Sequence, residues 1–287
     1  MTDAPRISVL ISSYNNARFV AKKLAEIRAQ TIFRKAEFLF IETASPERER
    51  ALFDPFCRGH PNCRVIAIDE RKSLYQAWNL GWREARAPLV CYSNMDDAMH
   101  PRLLEEVVIA MERERWDACT VLIAKQSMDE YWNDWSRVNR LPLSTRPGPF
   151  AAWRKELSDT VGWFDERFLV AGDKEFWSRL ARHNLRVGLI PKVLYLYTRN
   201  PQSLSANTRQ SERWQQEKAL LAETNSGWPA AIRRRIRWIR LARALMPSRY
   251  SVAFPPSAKR GSATRRTLED GDARRLTEPR SDPTAEQ

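Results

Sequence analysis

Residues 89–97 read LVCYSNMDD, a short apolar run that ends in an asparagine and two adjacent aspartates. A brief apolar stretch directly after Pro88 is typical of a buried β-strand. Ligands of open α/β sheets bind at the carboxyl ends of the strands. Because adjacent carboxylates are costly without a positive partner, the natural partner is a divalent cation that bridges to phosphates. The alternative is that Asp96 and Asp97 only cap the helix that begins near Pro101.

The segments around this run alternate between strand-like and helix-like patterns. That order predicts the α/β class, with a mainly parallel sheet and helices on its faces. The predicted strands are residues 7–12, 37–41, 64–68, 89–93 and 118–124, and the predicted helices are 17–30, 73–87 and 101–115.

The rest of the chain shows weaker patterns of secondary structure. Residues 125–152 are expected to be irregular, whereas 173–183 reads as a helix and 187–190 and 193–197 as short strands around Pro191. From about residue 208 the pattern becomes helical and basic, and beyond 255 the chain is polar and Arg-rich, which predicts disorder. The predicted organisation is a domain over 5–207, a helical extension over 208–254 and a tail over 255–287.

Composition and charge narrow the class of protein. The chain has 287 residues, is 43% hydrophobic and carries a net charge of +13, so it can bury a core and a polyanionic partner must be considered. No run approaches the roughly 18 apolar residues of a membrane span, and the N-terminus lacks the pattern of a secretory signal. The four cysteines form no CxxC pair, which argues against a structural zinc site.

Six short segments stand out along about two hundred residues. They are residues 7–15 (ISVLISSYN), 41–47 (IETASPE), 74–81 (LYQAWNLG), 94–97 (NMDD), 161–168 (VGWFDERF) and 172–179 (GDKEFWSR). In this order they resemble the motifs of family 2 glycosyltransferases. Those motifs are a nucleotide-binding strand and loop, an acidic turn, an Asn-x-Gly helix, a DxD-type metal loop, an acceptor-side segment and a Gly-Asp motif.

The resemblance implies a GT-A fold, a single doubly wound domain that binds a nucleotide sugar. It also implies an inverting transfer of one sugar, dependent on Mn²⁺ or Mg²⁺. Asp96 and Asp97 are the expected metal ligands, with Asp97 preferred for direct contact. Asp173 is the expected general base, although it can also cap the helix that follows it.

The resemblance further assigns substrate contacts to nine residues. Tyr14 is expected to stack on the base, and Ser13 and Asn15 to contact ribose or phosphate. Asn94 stands where the family often has an aspartate, and Thr43 replaces an aspartate that usually contacts the base. The full set of expected contacts is Ser13, Tyr14, Asn15, Glu42, Ser45, Arg71, Asn79, Asn94 and Asp96.

The extension suggests a second partner. Residues 209–287 hold 17 Lys and Arg against 9 Asp and Glu, a net charge of +8 that leaves +5 for the first 208 residues. Ile232, Ile236 and Ile239 recur at helical spacing, with Trp238 beside them and arginines opposite. Such a basic amphipathic helix suits an anionic membrane surface, and the alternative is a helix packed on the catalytic domain.

These observations combine into one functional hypothesis. We expect a cytoplasmic enzyme, with peripheral attachment to the inner face of the membrane as a further expectation. It would move one sugar from a nucleoside-diphosphate sugar to a saccharide or lipid-linked hydroxyl in envelope polysaccharide synthesis. A catalytically degenerate nucleotide-sugar-binding module is the alternative. Nucleic-acid binding is less supported because residues 257–287 contain no aromatic side chain.

Overall fold

The computed structural model describes residues 4–128, 135, 138, 141–144, 148–183, 185–204, 206, 212–224 and 230–245. Within this part the helices lie on both sides of one sheet. The strands are β1 Ile7–Ser13, β2 Ala36–Thr43, β3 Cys63–Ile68, β4 Leu89–Tyr92, β5 Ala98–Met99, β6 Ala118–Ser127, β7 Ala152–Arg154 and β8 Val187–Arg199. The helices are α1 Ala17–Arg28, a 3₁₀ turn Phe33–Lys35, α2 Arg50–Arg58, α3 Leu74–Glu84, α4 Leu103–Arg113, α5 Leu157–Val161, α6 Gly172–Arg182, α7 Glu212–Glu223 and α8 Ala230–Leu245.

The eight strands lie in the order β3-β2-β1-β4-β7-β6-β8-β5. Strands β3, β2, β1 and β4 are parallel, β7 runs antiparallel between β4 and β6, and β8 is parallel to β6. The predicted α/β class with a mainly parallel sheet is therefore confirmed. The carboxyl ends of β1, β2 and β4 meet at one edge, which brings the predicted loops together.

Alternation along β1 divides the core between the two faces of the sheet. Ile7, Val9 and Ile11 point to one face and pack with α1, α2 and α4, whereas Leu10 points to the other face, where α3 and α6 lie. All four side chains are fully buried. Helix α3 approaches the sheet closely at Gly81, where a Cβ atom would lie 2.4 Å from Ile41 Cδ1.

Several elements depart from the sequence prediction. The two strands expected around Pro191 form one long strand, β8, and its pairing with β6 shifts register near that proline, because proline cannot donate to the ladder. Helix α2 was not predicted, since Pro55 lies inside it. The short elements β5, β7 and α5 were also missed, being too short for a periodic signal. Of the region expected to be irregular, much lies outside the described residues.

The helical extension packs on the sheet domain. Ile232, Ile236 and Ile239 of α8 are 5%, 3% and 7% exposed and belong to the same core as β8. Trp238, grouped with the apolar face from its spacing, is instead 72% exposed. The described residues up to 245 belong to one compact unit. In the described part of the chain no helix is both long and apolar enough to cross a bilayer. The predicted tail, residues 255–287, lies outside the described residues.

The burial of α8 generates a stability prediction. We expect Ile236→Ala to lower the free energy of unfolding by about 2–5 kcal/mol, because it opens a cavity in the core. The matched control on the same helix is Trp238→Ala, which should change it by less than about 0.5 kcal/mol. Urea unfolding followed by circular dichroism measures both. Equal stability of the two variants would show that the apolar face of α8 is not packed on the domain.

Candidate functional site

The first part of the site lies where β1 and β2 end side by side. Ser13 and Glu42 are the last pair in register between the two strands, and both are buried. Tyr14 follows on the β1 loop. Arg71, on the loop after β3, places its guanidinium carbon 3.4 Å from the centre of the Tyr14 ring and donates a hydrogen bond to Thr43 Oγ1 at 3.0 Å. Four of the predicted contact residues therefore converge at this edge.

The Tyr14 ring carries a cation on one face, which is a favourable arrangement for an aromatic π-system. A nucleobase that stacks on Tyr14 must use the opposite face or displace Arg71. Two hydrogen-bond donors, the Arg71 guanidinium and the Thr43 hydroxyl, therefore lie at the position where the family often has an aspartate. Donors of this kind match the carbonyl oxygens of a base edge.

Several hydrogen bonds connect the loops that follow β1 and β2. The Ser45 amide donates to Glu42 at 2.8 Å, and the Ser45 hydroxyl accepts from the Asn15 amide at 3.0 Å. Asn15 has φ of +54°, a left-handed conformation that asparagine tolerates better than most residues. The backbone amide of Asn16, just before α1, donates to Glu49 at 2.6 Å. Glu42 and Ser45 therefore shape the loop, while Asn15 is exposed at its surface.

The second part of the site is the acidic loop, residues 93–97, which follows β4. Asp97 is fully buried, and its two oxygens accept hydrogen bonds from three groups. The donors are the Asn94 side-chain amide at 2.9 Å, the Tyr195 hydroxyl at 3.0 Å and the Thr198 backbone N–H at 2.8 Å. Burial and the neighbouring charge of Asp96 raise the pKa of Asp97 to about 8. Asp97 thus joins the acidic loop to β8.

Asp96 has different surroundings. It is partly exposed, and it accepts a hydrogen bond from the Asn200 amide at 3.1 Å, just after β8. Burial raises its pKa as well. A carboxylate that is partly open and costly to charge is a suitable ligand for a cation. The geometry therefore favours Asp96 over Asp97 for direct metal contact, the reverse of the preference drawn from the sequence.

The oxygen chemistry of this loop fits Mg²⁺ or Mn²⁺. Carboxylate and amide oxygens are hard ligands, which these ions prefer. Among the described residues no group of three or more His, Cys, Asp and Glu side chains comes together as a metal cage. A cation at Asp96 would therefore need oxygens from water and from a bound diphosphate, which is how Mg²⁺ is commonly held beside nucleotides.

A buried ion pair supports the acidic loop from below. Lys23 of α1 has no exposed surface, and its ammonium group donates to Glu26 at 3.1 Å, to Ser93 Oγ at 3.2 Å and to the Asp97 carbonyl at 2.9 Å. Glu26 also accepts the Met99 amide at 2.7 Å. One lysine therefore contacts both ends of the loop and places a positive charge beneath two carboxylates.

The third part of the site surrounds Asp173, the second residue of α6. Its backbone amide donates to the Tyr75 hydroxyl at 3.1 Å, and that hydroxyl donates to the Val170 carbonyl at 2.9 Å. The ring of Tyr75 lies against Gly172, where a Cβ atom would be 2.7 Å from the ring. Glycine is therefore required before Asp173, and α3 fixes the start of α6.

Packed aromatic side chains connect the end of β4, which leads into the acidic loop, to the start of α6. Burial raises the pKa of Tyr92 well above its usual value, and the charges of Asp173 and Asp97 raise it further. Tyr75, whose hydroxyl accepts the Asp173 amide, lies edge-on to Trp78 of α3 at 5.5 Å between ring centres. The Tyr92 ring stacks on Trp78 of α3 at 4.0 Å between ring centres. The structure brings the predicted metal loop and the predicted base to one region.

Asn79 makes its hydrogen bonds inside the protein. It is 1% exposed, and its amide group donates to the Phe164 carbonyl and to Glu166, each at 2.9 Å, while its oxygen accepts the Phe164 amide. Both amide hydrogens are used within the chain. This geometry favours a structural role for Asn79, which ties α3 to the loop before α6, over the predicted substrate contact.

Sequence reasoning missed several residues that build the site. Lys23, Glu26 and Glu217 are charged residues on the apolar faces of their helices, and that position is the signal that could have drawn notice to them. Tyr195 and Thr198 gave no such signal, because their role depends on the pairing of β8 with β6.

Three features lie together at the carboxyl edge of the sheet: the loop after β1, the acidic loop after β4 and Asp173 at the start of α6. This combination is typical of a GT-A type protein. The model of the glycosyl transferase family 2 matches residues 8–164, and that of the glycosyl transferase family group 2 matches residues 96–259. The chain belongs to glycosyl transferase family 2.

Curated relatives of low identity are also named as glycosyltransferases. The uncharacterized glycosyltransferase EpsJ of Bacillus subtilis is 24% identical over 219 residues, which cover 70% of this chain and 63% of that protein. The glycosyltransferase AglE of Haloferax volcanii is 27% identical over 36% of this chain and 34% of its own length. The chain thus spans less than two thirds of the length of these relatives.

Solved structures share the fold. TarS of S. aureus, residues 1–349 in complex with UDP-GlcNAc, superposes with a TM-score of 0.61 at 17% identity, covering 80% of this chain and 70% of that one. The mannosyltransferase PcManGT of Pyrobaculum calidifontis, in complex with GDP-Man and Mn²⁺, gives a TM-score of 0.61 at 20% identity over 84% and 71% of the two chains. The predicted GT-A fold is confirmed.

The buried pair beneath the acidic loop generates a stability prediction. We expect Lys23→Met to lower the free energy of unfolding by about 3–5 kcal/mol, because the charge of Glu26 is left buried without its partner. Adding Glu26→Gln should recover part of that loss, since the amide oxygen can still accept the Met99 amide. Urea unfolding of the two single variants and the double variant measures the coupling. Additive losses would contradict the pairing.

Proposed function

We propose that this protein is an inverting glycosyltransferase that moves one sugar from a nucleoside-diphosphate sugar to a hydroxyl acceptor. The observation that carries the proposal is that the end of β4, which leads into the acidic loop, is connected to Asp173 through packed aromatic rings. Tyr92 stacks on Trp78 at 4.0 Å between ring centres, and Tyr75, 5.5 Å from Trp78, accepts the Asp173 amide. A glycosyl transfer needs these two functions close together, because the leaving diphosphate and the attacking hydroxyl act on the same anomeric carbon.

The donor occupies the edge formed by the β1, β2 and β4 loops. Tyr14 and Arg71 hold the base, and Ser13, whose hydroxyl is buried without a hydrogen-bond partner, contributes a polar group nearby. An unpartnered buried hydroxyl costs free energy, which a ligand can recover. The neighbours named above bind UDP-GlcNAc and GDP-Man, which supports a nucleotide-sugar donor here.

Asp96 is the residue that would hold Mn²⁺ or Mg²⁺, with Asp97 shaping the loop behind it. Such an ion, when bound, neutralises the charge that develops on the departing diphosphate. The chain itself supplies the orientation: Asn200 holds one oxygen of Asp96, and Lys23 holds the backbone of the loop. The Mn²⁺ bound in the mannosyltransferase complex supports this assignment.

Asp173 accepts the proton of the acceptor hydroxyl as that oxygen forms its bond to the anomeric carbon and the bond to the diphosphate breaks. Its carboxylate lies near the N-terminus of α6, and one oxygen accepts the Lys174 amide at 2.7 Å. A single attack from the opposite face inverts the configuration of the carbon. Asp173 is thus the catalytic base of the proposal.

The acceptor is proposed to be a saccharide or lipid-linked hydroxyl in envelope polysaccharide synthesis. Peripheral contact with an anionic membrane remains part of the proposal, but the isoleucine face of α8 does not carry it, because that face is buried. The exposed Trp238 and the exposed arginines at 233–235 and 237 are the groups available for it.

A degenerate binding module is the second candidate. Asn94 favours this candidate. Its side-chain amide donates a hydrogen bond to Asp97, whereas an aspartate at this position would add a third carboxylate to the loop. Such a module would bind the donor and release no nucleoside diphosphate. The two experiments that follow separate the candidates.

The donor assignment predicts metal-dependent ligand binding. In a thermal-shift panel of nucleotide sugars, we expect one donor class to raise Tm only when Mn²⁺ is present, because a ligand of the native state stabilises it. Asp96→Asn should weaken that binding roughly 10-fold or more, since the ion loses its carboxylate. The matched control is Asp159→Asn, an exposed residue on α5. A panel without any shift would contradict the proposed donor site.

The base assignment predicts a separation of binding from turnover. We expect Asp173→Asn to keep donor affinity within about twofold while the rate of nucleoside-diphosphate release falls by about 10²–10⁴-fold, because the amide cannot accept the proton. Coupled assays of diphosphate release, with water or saccharide acceptors, measure the rate. Full activity of Asp173→Asn would remove it as the base. An inactive native protein that still binds donor would favour the degenerate module.

A further inference from the structure

Glu217, on α7 of the C-terminal extension, reaches into the start of the helix that carries Asp173. It is 1% exposed. Its carboxylate accepts the backbone amides of Leu169, Val170 and Ala171, with the last two at 3.1 and 2.9 Å. These three amides directly precede Gly172, where α6 begins. A side chain from 46 to 48 residues further along the chain therefore caps this segment.

The contact is a strong one on physical grounds. Amides ahead of a helix have no partner within it, and the positive end of the helix dipole favours a negative charge at this place. Hydrogen bonds from N–H groups to an ionised carboxylate are stronger than those between neutral groups. Arg213, one turn earlier on α7, lies 3.9 Å from Glu217 and also donates to the Arg167 carbonyl. The same helix thus holds the loop at two points.

The loop is fixed from its other side by α3. The Tyr75 hydroxyl donates to the Val170 carbonyl and accepts the Asp173 amide, and its ring leaves no room for a side chain at Gly172. Residues 169–173 are therefore held between Tyr75 and Glu217. Loss of either contact frees backbone groups within a few bonds of the Asp173 carboxylate.

We propose that Glu217 is a positioning residue for Asp173, so that the C-terminal extension completes the site formed by the sheet domain. This inference rests on the function proposed above. Glu217 touches neither donor nor acceptor in the proposal. It acts through the backbone of residues 169–171, and it sets the place from which Asp173 receives the proton.

Glu217→Gln tests the proposal, because the amide keeps the shape and loses the charge. Its NH₂ group would face backbone N–H groups in place of one oxygen. We expect kcat to fall by roughly 10- to 100-fold, since a small misplacement of a reacting group has effects of this size. Donor affinity in the presence of Mn²⁺ should stay within about twofold, because the donor edge is untouched. The matched control is Glu212→Gln, an exposed residue on the same helix.

A general loss of stability must be separated from positioning. Ile236→Ala destabilises the same extension, and its apolar side chain makes no hydrogen bond to the amides of residues 169–171, so it serves as the second control. The proposal requires Glu217→Gln to lose far more kcat than Ile236→Ala at temperatures well below the Tm of both. Equal kcat losses in the two variants, or native kcat in Glu217→Gln, would overturn it.

Amide hydrogen exchange gives a readout that does not depend on activity. We expect the amides of Leu169, Val170 and Ala171 to exchange at least about 10-fold faster in Glu217→Gln, whereas those of β1 should be unchanged. Unchanged exchange at 169–171 would overturn the inference even in an active enzyme. If the native protein transfers no sugar, the proposed function fails, and the exchange result still decides whether Glu217 holds this loop.

Discussion

The structure of the site depends on the cost of placing Asp96 and Asp97 side by side at the end of a buried strand. Burial raises the pKa of both carboxylates, and the charge of Asp96 raises the pKa of Asp97 further. The chain offsets this cost with one buried ammonium group and with donors from elsewhere in the sheet. Lys23 comes from α1 and Thr198 from the end of β8. The acidic loop therefore requires both α1 and β8 to be folded.

The same constraint separates the roles of the two aspartates. The carboxylate of Asp97 is fully buried and stabilises the loop. It accepts hydrogen bonds from the Asn94 side-chain amide, the Tyr195 hydroxyl and the Thr198 backbone N–H. Asp96 keeps part of its surface open beside Asn200. Asp97, which the sequence suggested as the direct metal ligand, thus supports the loop, and Asp96 is the residue that we propose for contact with a cation.

Local patterns in the sequence predict the elements that form the donor edge. The apolar run at residues 7–12 and the run before Asp96 became strands, and their loops met because parallel strands end at one edge. Contacts between distant segments could not be predicted in this way. Glu217 lies more than forty residues from the amides it accepts, and Tyr195 meets Asp97 only because β8 pairs with β5 and β6. Asn79 carried a family motif, yet its amide is used inside the protein.

The position of Glu217 along the chain has a consequence for synthesis. A growing polypeptide can form β1 to β4 and their loops early, but the residues that fix the acidic loop and the start of α6 are made much later. Thr198 follows the first strand by about 190 residues, and Glu217 comes later still. On the ribosome, the nascent domain therefore passes through a stage in which most of the sheet has been made and the candidate site is still incomplete. A prematurely released chain that ends before α7 would lack the carboxylate that holds residues 169–171.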